Sequence, residues 1–109
     1  MADDRLLPGK KLQKDKPLYS ASGQYKLVFQ GDGNLVLYEG SRDRWSSKTD
    51  NKGATECIMQ SDGNLVIYSG PNKVLWASGT DGKRGSFLWV QDDRNLVIYQ
   101  PIWASNTSV

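Results

Sequence analysis

Apolar residues gather into paired short runs along this chain, and the pairing occurs three times. Leu27-Val28-Phe29 is followed by Leu35-Val36-Leu37-Tyr38, Cys57-Ile58-Met59 by Leu65-Val66-Ile67-Tyr68, and Leu88-Trp89-Val90 by Leu96-Val97-Ile98-Tyr99. Side chains two apart lie on the same face of a β-strand. Leu27 with Phe29 and Leu35 with Leu37 therefore share a core-facing side, as do Cys57, Met59, Leu65 and Ile67, and Leu88, Val90, Leu96 and Ile98. Each pair reads as two antiparallel strands joined by a polar tip. Nothing sustains a helical period, so the chain reads as all-β, with about four short strands per unit.

Tip and return strand together spell one nonapeptide, Gln-x-Asp-x-Asn-Leu-Val-x-Tyr. It occupies 30–38 (Gln30, Asp32, Asn34, Val36, Tyr38), 60–68 (Gln60, Asp62, Asn64, Val66, Tyr68) and 91–99 (Gln91, Asp93, Asn95, Val97, Tyr99). The steps between the glutamines are 30 and 31 residues, which marks a supersecondary unit repeated three times. Asp32-Gly33 and Asp62-Gly63 predict tight turns in which glycine accepts a positive φ. Asn34, Val36 and Tyr38 and their counterparts fall on the face opposite the core. That face, carrying amides, a carboxylate, a phenol and a small apolar patch, is expected to meet water or a ligand.

A tryptophan follows each return strand, in Arg44-Trp45-Ser46-Ser47, Leu75-Trp76-Ala77-Ser78 and Ile102-Trp103-Ala104-Ser105. Three indoles related by the repeat are expected to meet at the centre and fill a space that no single unit fills alone. Trp89 stands outside this pattern, where the other units have Val28 and Ile58, and its phase places it on the outward face of Gln91. The intervening segments, Glu39-Gly40-Ser41, 49–53, 69–72 and 80–85, are rich in turn residues. The first unit is expected to begin with strands near 6–12 and 17–19, and the third return strand to leave through a tight turn at Gln100-Pro101.

The length of 109 residues suits one domain with one core, spanning 1–109. Formal net charge is +2, and the one basic cluster, Lys10, Lys11, Lys14 and Lys16, is interrupted by Asp15, as expected of a solvated segment rather than a nucleic-acid surface. Cys57 is the single cysteine, so no intrachain disulfide forms, and its phase makes it a small buried hydrophobe rather than a reactive thiol. No apolar run approaches the ~20 residues of a membrane span, and the start lacks the apolar core of an export signal. These features lead us to expect a cytoplasmic protein or one secreted by a non-classical route. There is no histidine and no nucleophile with a recognisable base, the carboxylates of the three motifs belong to separate units rather than to one pair, and no metal-ligand spacing appears. An enzyme, a metal site and a cofactor are accordingly not expected.

The triplicate Gln-x-Asp-x-Asn-x-Val-x-Tyr with a tryptophan after each copy resembles the monocot mannose-binding lectins, also called bulb-type lectins, over essentially the whole chain. The resemblance implies a type II β-prism of three four-stranded antiparallel sheets with pseudo-threefold symmetry, and one shallow α-D-mannose site per sheet. It also implies roles. Asp32 and Asn34 would bond the axial 2-hydroxyl, Gln30 the 3-hydroxyl and Tyr38 the 4-hydroxyl, while Val36 packs on ring carbons. Gln60, Asp62, Asn64, Val66 and Tyr68, and Gln91, Asp93, Asn95, Val97 and Tyr99, would repeat them. The partners implied are α-mannose and mannose-rich glycans or glycoproteins, with no nucleic acid, no membrane insertion and the option of a homodimer through exchanged C-terminal strands.

The assignment is chemically coherent, because a hydroxyl both donates and accepts and a carboxylate beside an amide satisfies both needs. A shallow neutral site implies roughly millimolar affinity per monosaccharide, near ~4 kcal/mol, so useful binding rests on several sites engaging one glycan array. Two features depart from the family pattern. Many members close a loop with a disulfide from the place of Gly33, and the third copy has Asp92 and Arg94 where the others have small residues, which sets extra charge beside Asp93. The alternative reading is a sugar-independent interaction protein on the same fold, inhibitory, taste-active or toxin-like.

Overall fold

A computed structural model describes residues 4–93 and 95–100. Ten strands and no helix make up the described chain, which forms three antiparallel sheets. The first has four strands in sequence order, β2 (Leu18–Tyr19), β3 (Tyr25–Phe29), β4 (Leu35–Glu39) and β5 (Arg42–Ser46). The second contains β6 (Glu56–Met59), β7 (Leu65–Ser69) and β8 (Lys73–Ala77), and the third β1 (Arg5–Leu6), β9 (Phe87–Val90) and β10 (Leu96–Tyr99).

Each repeat is a hairpin whose tip is the polar half of the nonapeptide. β3 pairs β4 with Leu27 opposite Leu37 and Phe29 opposite Leu35, β6 pairs β7 with Cys57 opposite Ile67, and β9 pairs β10 with Leu88 opposite Ile98. Identical phase in all three puts the same sequence positions on the inner face. Leu27, Phe29, Leu35, Cys57, Met59, Leu65, Ile67, Leu88 and Val90 are all at most 1% exposed and belong to one hydrophobic cluster. Burial of this kind contributes roughly 1.5–3 kcal/mol per large aliphatic side chain. The Cys57 thiol lies inside the cluster, and desolvation there pushes its pKa up to about 12, so it behaves as a packing group rather than a nucleophile.

Among the described residues only the first sheet has the expected four strands, and the other two have three each. The chain before β3 does not form one continuous strand over 6–12; it crosses the edges of the three sheets in turn. Arg5 and Leu6 pair with Trp89 and Leu88 of the third sheet, Lys11 bridges Ile58 of the second, and Leu18 and Tyr19 pair with Leu27 and Lys26 of the first. Leu6, Leu12 and Leu18, six residues apart, are the buried anchors of this strap. The lysines between them stay exposed, and Lys11 forms an ion pair with Glu56 at 2.8 Å.

Trp45 and Trp76 stand opposite the inward Leu37 and Ile67, so both indoles turn toward the core. A one-residue register shift follows in each sheet, after which Asp43 faces Tyr38 and Val74 faces Tyr68. The two rings meet edge to face, 5.5 Å apart at 66°, half-buried against the common cluster. Trp103 and the turn expected at Gln100-Pro101 lie outside the described residues. Because Trp76 joins two sheets, Trp76→Ala should lower stability by about 3 kcal/mol through the space it leaves. Thermal unfolding measures this, and an unchanged Tm would show that the indole contributes no packing.

Candidate functional site

The outer face of each hairpin is organised by the tip. In the first, the Gln30 amide donates to the Asn34 carbonyl at 2.8 Å and the Gly33 amide to the Gln30 carbonyl at 2.8 Å. The Asp32 carboxylate accepts the Asn34 amide at 2.9 Å through Oδ1, a local turn that fixes the carboxylate over its own tip. Asp62 and Asn64 repeat that bond at 2.9 Å, and Asp93 and Asn95 at 3.0 Å. Gly33 and Gly63 carry φ of 90° and 97°. A Cβ at Gly33 would stand 2.8 Å from the Ala54 Cβ, and one at Gly63 would stand 2.7 Å from the Lys83 carbonyl carbon, so both positions require glycine twice over. Without a disulfide, this loop is tied by the Asn51 amide donating to the Asp32 carbonyl at 2.8 Å.

Asparagine is the node of the site. Asn64 Oδ1 accepts from the Ser78 hydroxyl at 3.0 Å, the Gly79 amide at 3.0 Å and the Thr80 amide at 3.3 Å. Asn34 Oδ1 likewise accepts from the Ser47 hydroxyl at 3.3 Å and the Thr49 amide at 3.2 Å. With its carbonyl held by the scaffold, each side chain is oriented with the Nδ2 donor group on the other side. Thr49 continues the web, its hydroxyl donating to the Gly33 carbonyl at 2.6 Å and lying in hydrogen-bond contact with the Ser47 hydroxyl at 2.8 Å, and Thr80 bonds Gly63 and Ser78 in the same way. Sequence reasoning gave these hydroxyls no part, although a signal was present: Trp-x-Ser-x-Thr stands at 45–49, 76–80 and 103–107. The third of these lies outside the described residues.

Gln30 Nε2 donates to the Tyr38 hydroxyl, and Gln60 does the same to Tyr68, while Gln91 reaches Tyr99 at 2.8 Å. In the first sheet that bond runs diagonally over the paired Val28 and Val36. Here the structure corrects the expectation of an open apolar patch: Val36 and Val66 lie on the outer face but are only 3% and 2% exposed. They pair across the strands with Val28 and Ile58 and form a floor on the side of the polar groups. Asp32 and Asp62 are exposed, and Gln, Asn and Tyr of both copies are half-buried.

The third copy differs. Asn95 is exposed, and its Nδ2 donates to Asp93 Oδ2 at 3.3 Å. Tyr99 is 39% exposed, and Val97 is half-buried. Asp92 does not stand free beside Asp93, because its carboxylate accepts the Ser22 hydroxyl at 2.6 Å and the Ser22 amide at 3.2 Å, joining the third tip to the turn between β2 and β3. Hydrogen bonds from Ser20 and then Ser22 hold its carboxyl below the usual range. Arg94 lies outside the described residues.

The structure aligns with a monomeric monocot mannose-binding lectin from Gastrodia elata at TM-score 0.81 and 45% identity, covering 96% of this chain and 98% of that one. This chain belongs to the monocot mannose-binding lectin family. The snowdrop (Galanthus nivalis) mannose-specific agglutinin, solved with methyl α-D-mannoside, aligns at TM-score 0.82 and 38% identity over 96% of this chain and 97% of that chain. Among curated relatives, a mannose-specific lectin of Dendrobium findlayanum is 42% identical over 53 residues, and curculin-2 of Molineria latifolia 43% identical over 54. Those matches take in 49% and 50% of this chain and span only 30% and 33% of the relatives' own lengths. No family model matches the chain. Membership accords with the three-sheet all-β fold described above.

Thr49 is 1% exposed, so Thr49→Val strands the Gly33 carbonyl that its hydroxyl serves and removes one of the partners of the Ser47 hydroxyl. A loss of about 1–3 kcal/mol is expected on chemical denaturation. A variant as stable as the parent would remove the threonine from the web.

Proposed function

We propose that this chain is a carbohydrate-binding domain of three repeats, with motifs at 30–38, 60–68 and 91–99, that recognises α-D-mannose and mannose-rich glycans without catalysis. The observation that carries this reading is the pairing of an exposed carboxylate with an asparagine whose carbonyl is already occupied. Asp32 beside Asn34, and Asp62 beside Asn64, offer an acceptor and a donor side by side, which suits a hydroxyl that must both donate and accept. Gln30 and Tyr38, linked to each other, add the contacts to neighbouring hydroxyls, with the covered Val36 below. The same roles fall to Gln60, Val66 and Tyr68, and to Gln91, Asp93, Asn95, Val97 and Tyr99. The mannoside complex of the snowdrop relative supports the ligand class. Curculin-2 stands among the relatives beside the mannose-specific lectin, but intact Asp–Asn pairs in all three copies favour sugar binding over a sugar-independent role.

Buried or positioned polar groups discriminate strongly against an analogue that leaves them unpaired. Calorimetry with methyl α-mannoside should give heat where methyl α-glucoside gives none, and EDTA should leave it unchanged. Equal heats from the two epimers would defeat the Asp–Asn assignment.

Asn64→Asp keeps the acceptor toward Ser78, Gly79 and Thr80 but puts a second carboxylate beside Asp62 in place of the donor. It should silence the second site with Tm held, remove about a third of the monosaccharide stoichiometry, and weaken retention on a mannan surface by much more. Loss of all monosaccharide binding in this one variant would contradict independent sites.

A further inference from the structure

The three outer faces share their polar tips and differ in what stands beside them. Opposite the motif tyrosine in register are Lys26 in the first sheet, Glu56 in the second and Phe87 in the third. Opposite the motif valine are Val28, Ile58 and Trp89. The first two faces are therefore edged by charge over an aliphatic floor. The third is edged by rings: Phe87 stacks on Tyr99 at 5.9 Å and 29°, and Trp89 lies 5.5 Å from Tyr99 and 6.3 Å from Phe87.

Two residues of the N-terminal strap fix this surface. Trp89 Nε1 donates to the Asp4 carboxylate at 3.0 Å, which sets the indole's orientation. Arg5, paired with Trp89 across the strands, holds its guanidinium carbon 4.4 Å from the Trp89 ring centroid and 5.7 Å from that of Phe87. The indole lines one pocket of about 470 Å³ together with Asp4, Gln91, Asp93 and Tyr99. An aromatic wall thus adjoins the polar groups of the third motif within one opening.

We infer that the third sheet carries an aromatic subsite, built on Trp89, that takes the second pyranose of an α-linked mannose oligosaccharide whose terminal mannose occupies Gln91, Asp93, Asn95 and Tyr99. A pyranose presents a face of C–H bonds, and a ring held in place stacks on that face over more area than Val28 or Ile58 provides. Trp89 is then a specificity-determining residue: the three sites read the same terminal sugar, and the third alone reads the pyranose linked to it. The inference rests on the mannose reading proposed above.

Calorimetry with methyl α-mannoside and with an α-linked mannobiose, on the parent and on Trp89→Val, tests it. In the parent, one site should hold the mannobiose roughly fivefold tighter than methyl α-mannoside. Trp89→Val, which installs the residue of the first sheet, should lose that preference while binding methyl α-mannoside as before, and Trp89→Phe should keep part of it. Because Trp89 also packs within the sheet, a second reading uses the unaltered protein: the Trp89 indole N–H resonance should shift on adding mannobiose. A folded Trp89→Val with the preference intact, or an indole signal that mannobiose leaves in place, overturns the subsite. Absence of any heat from methyl α-mannoside in the parent overturns the mannose reading itself, and the subsite with it.

Discussion

Everything in this molecule depends on three apolar sheet faces closing on one another. A hairpin with one apolar face has nowhere to hide that face in water, and two strands alone are marginal. Here Leu27, Phe29 and Leu35 of the first sheet, Cys57, Met59 and Leu65 of the second, and Leu88 and Val90 of the third enter one cluster. The strap through Leu6, Leu12 and Leu18 reaches all three sheets before the first complete hairpin begins. No repeat is self-sufficient, and the outer faces inherit their rigidity from the shared interior.

The polar side is satisfied as strictly as the apolar side is packed. Among the described residues, no buried side-chain nitrogen or oxygen lacks a hydrogen-bond partner. The Ser–Thr–Asn web shows how such satisfaction becomes orientation. Ser47 and Thr49 engage the Asn34 carbonyl, and Ser78 with Thr80 engages that of Asn64, so the free amide of each asparagine is set by the loop after the tryptophan. The tryptophan and the polar web occupy one stretch of five residues, so core packing and the placement of the donor are coupled along the chain.

Strand phase was legible because period two leaves little freedom: once Leu35 and Leu37 face inward, Asn34, Val36 and Tyr38 must face outward. The meeting of Trp45 with Trp76 was legible for the same reason, through the repeat. Three things were not. The burial of Val36 goes with its pairing to Val28 on the neighbouring strand, a cross-strand relation that no local pattern states. The strap resembles a single strand in sequence because its residues pair with three different sheets, and only the buried leucines at every sixth position hint at it. Asp92 looks like an extra charge at the third tip, since its partner, Ser22, is 70 residues away in sequence.

That last pair points to how a repeated fold acquires unequal sites. The constant positions of the nonapeptide answer to one geometry, the turn that each Asp closes on its Asn. Its variable second position and the strand just before it answer to whatever segment lies alongside, and those segments are not repeated. Gly31 donates its amide to Asp15 of the strap, Asp92 accepts from Ser22, and Trp89 is held by Asp4 and Arg5. Each tip thus shares its internal turn with its siblings while its rim is set by a different neighbour. Selection on the rim can alter what a site accepts beyond the first sugar without touching the core that makes the sites possible.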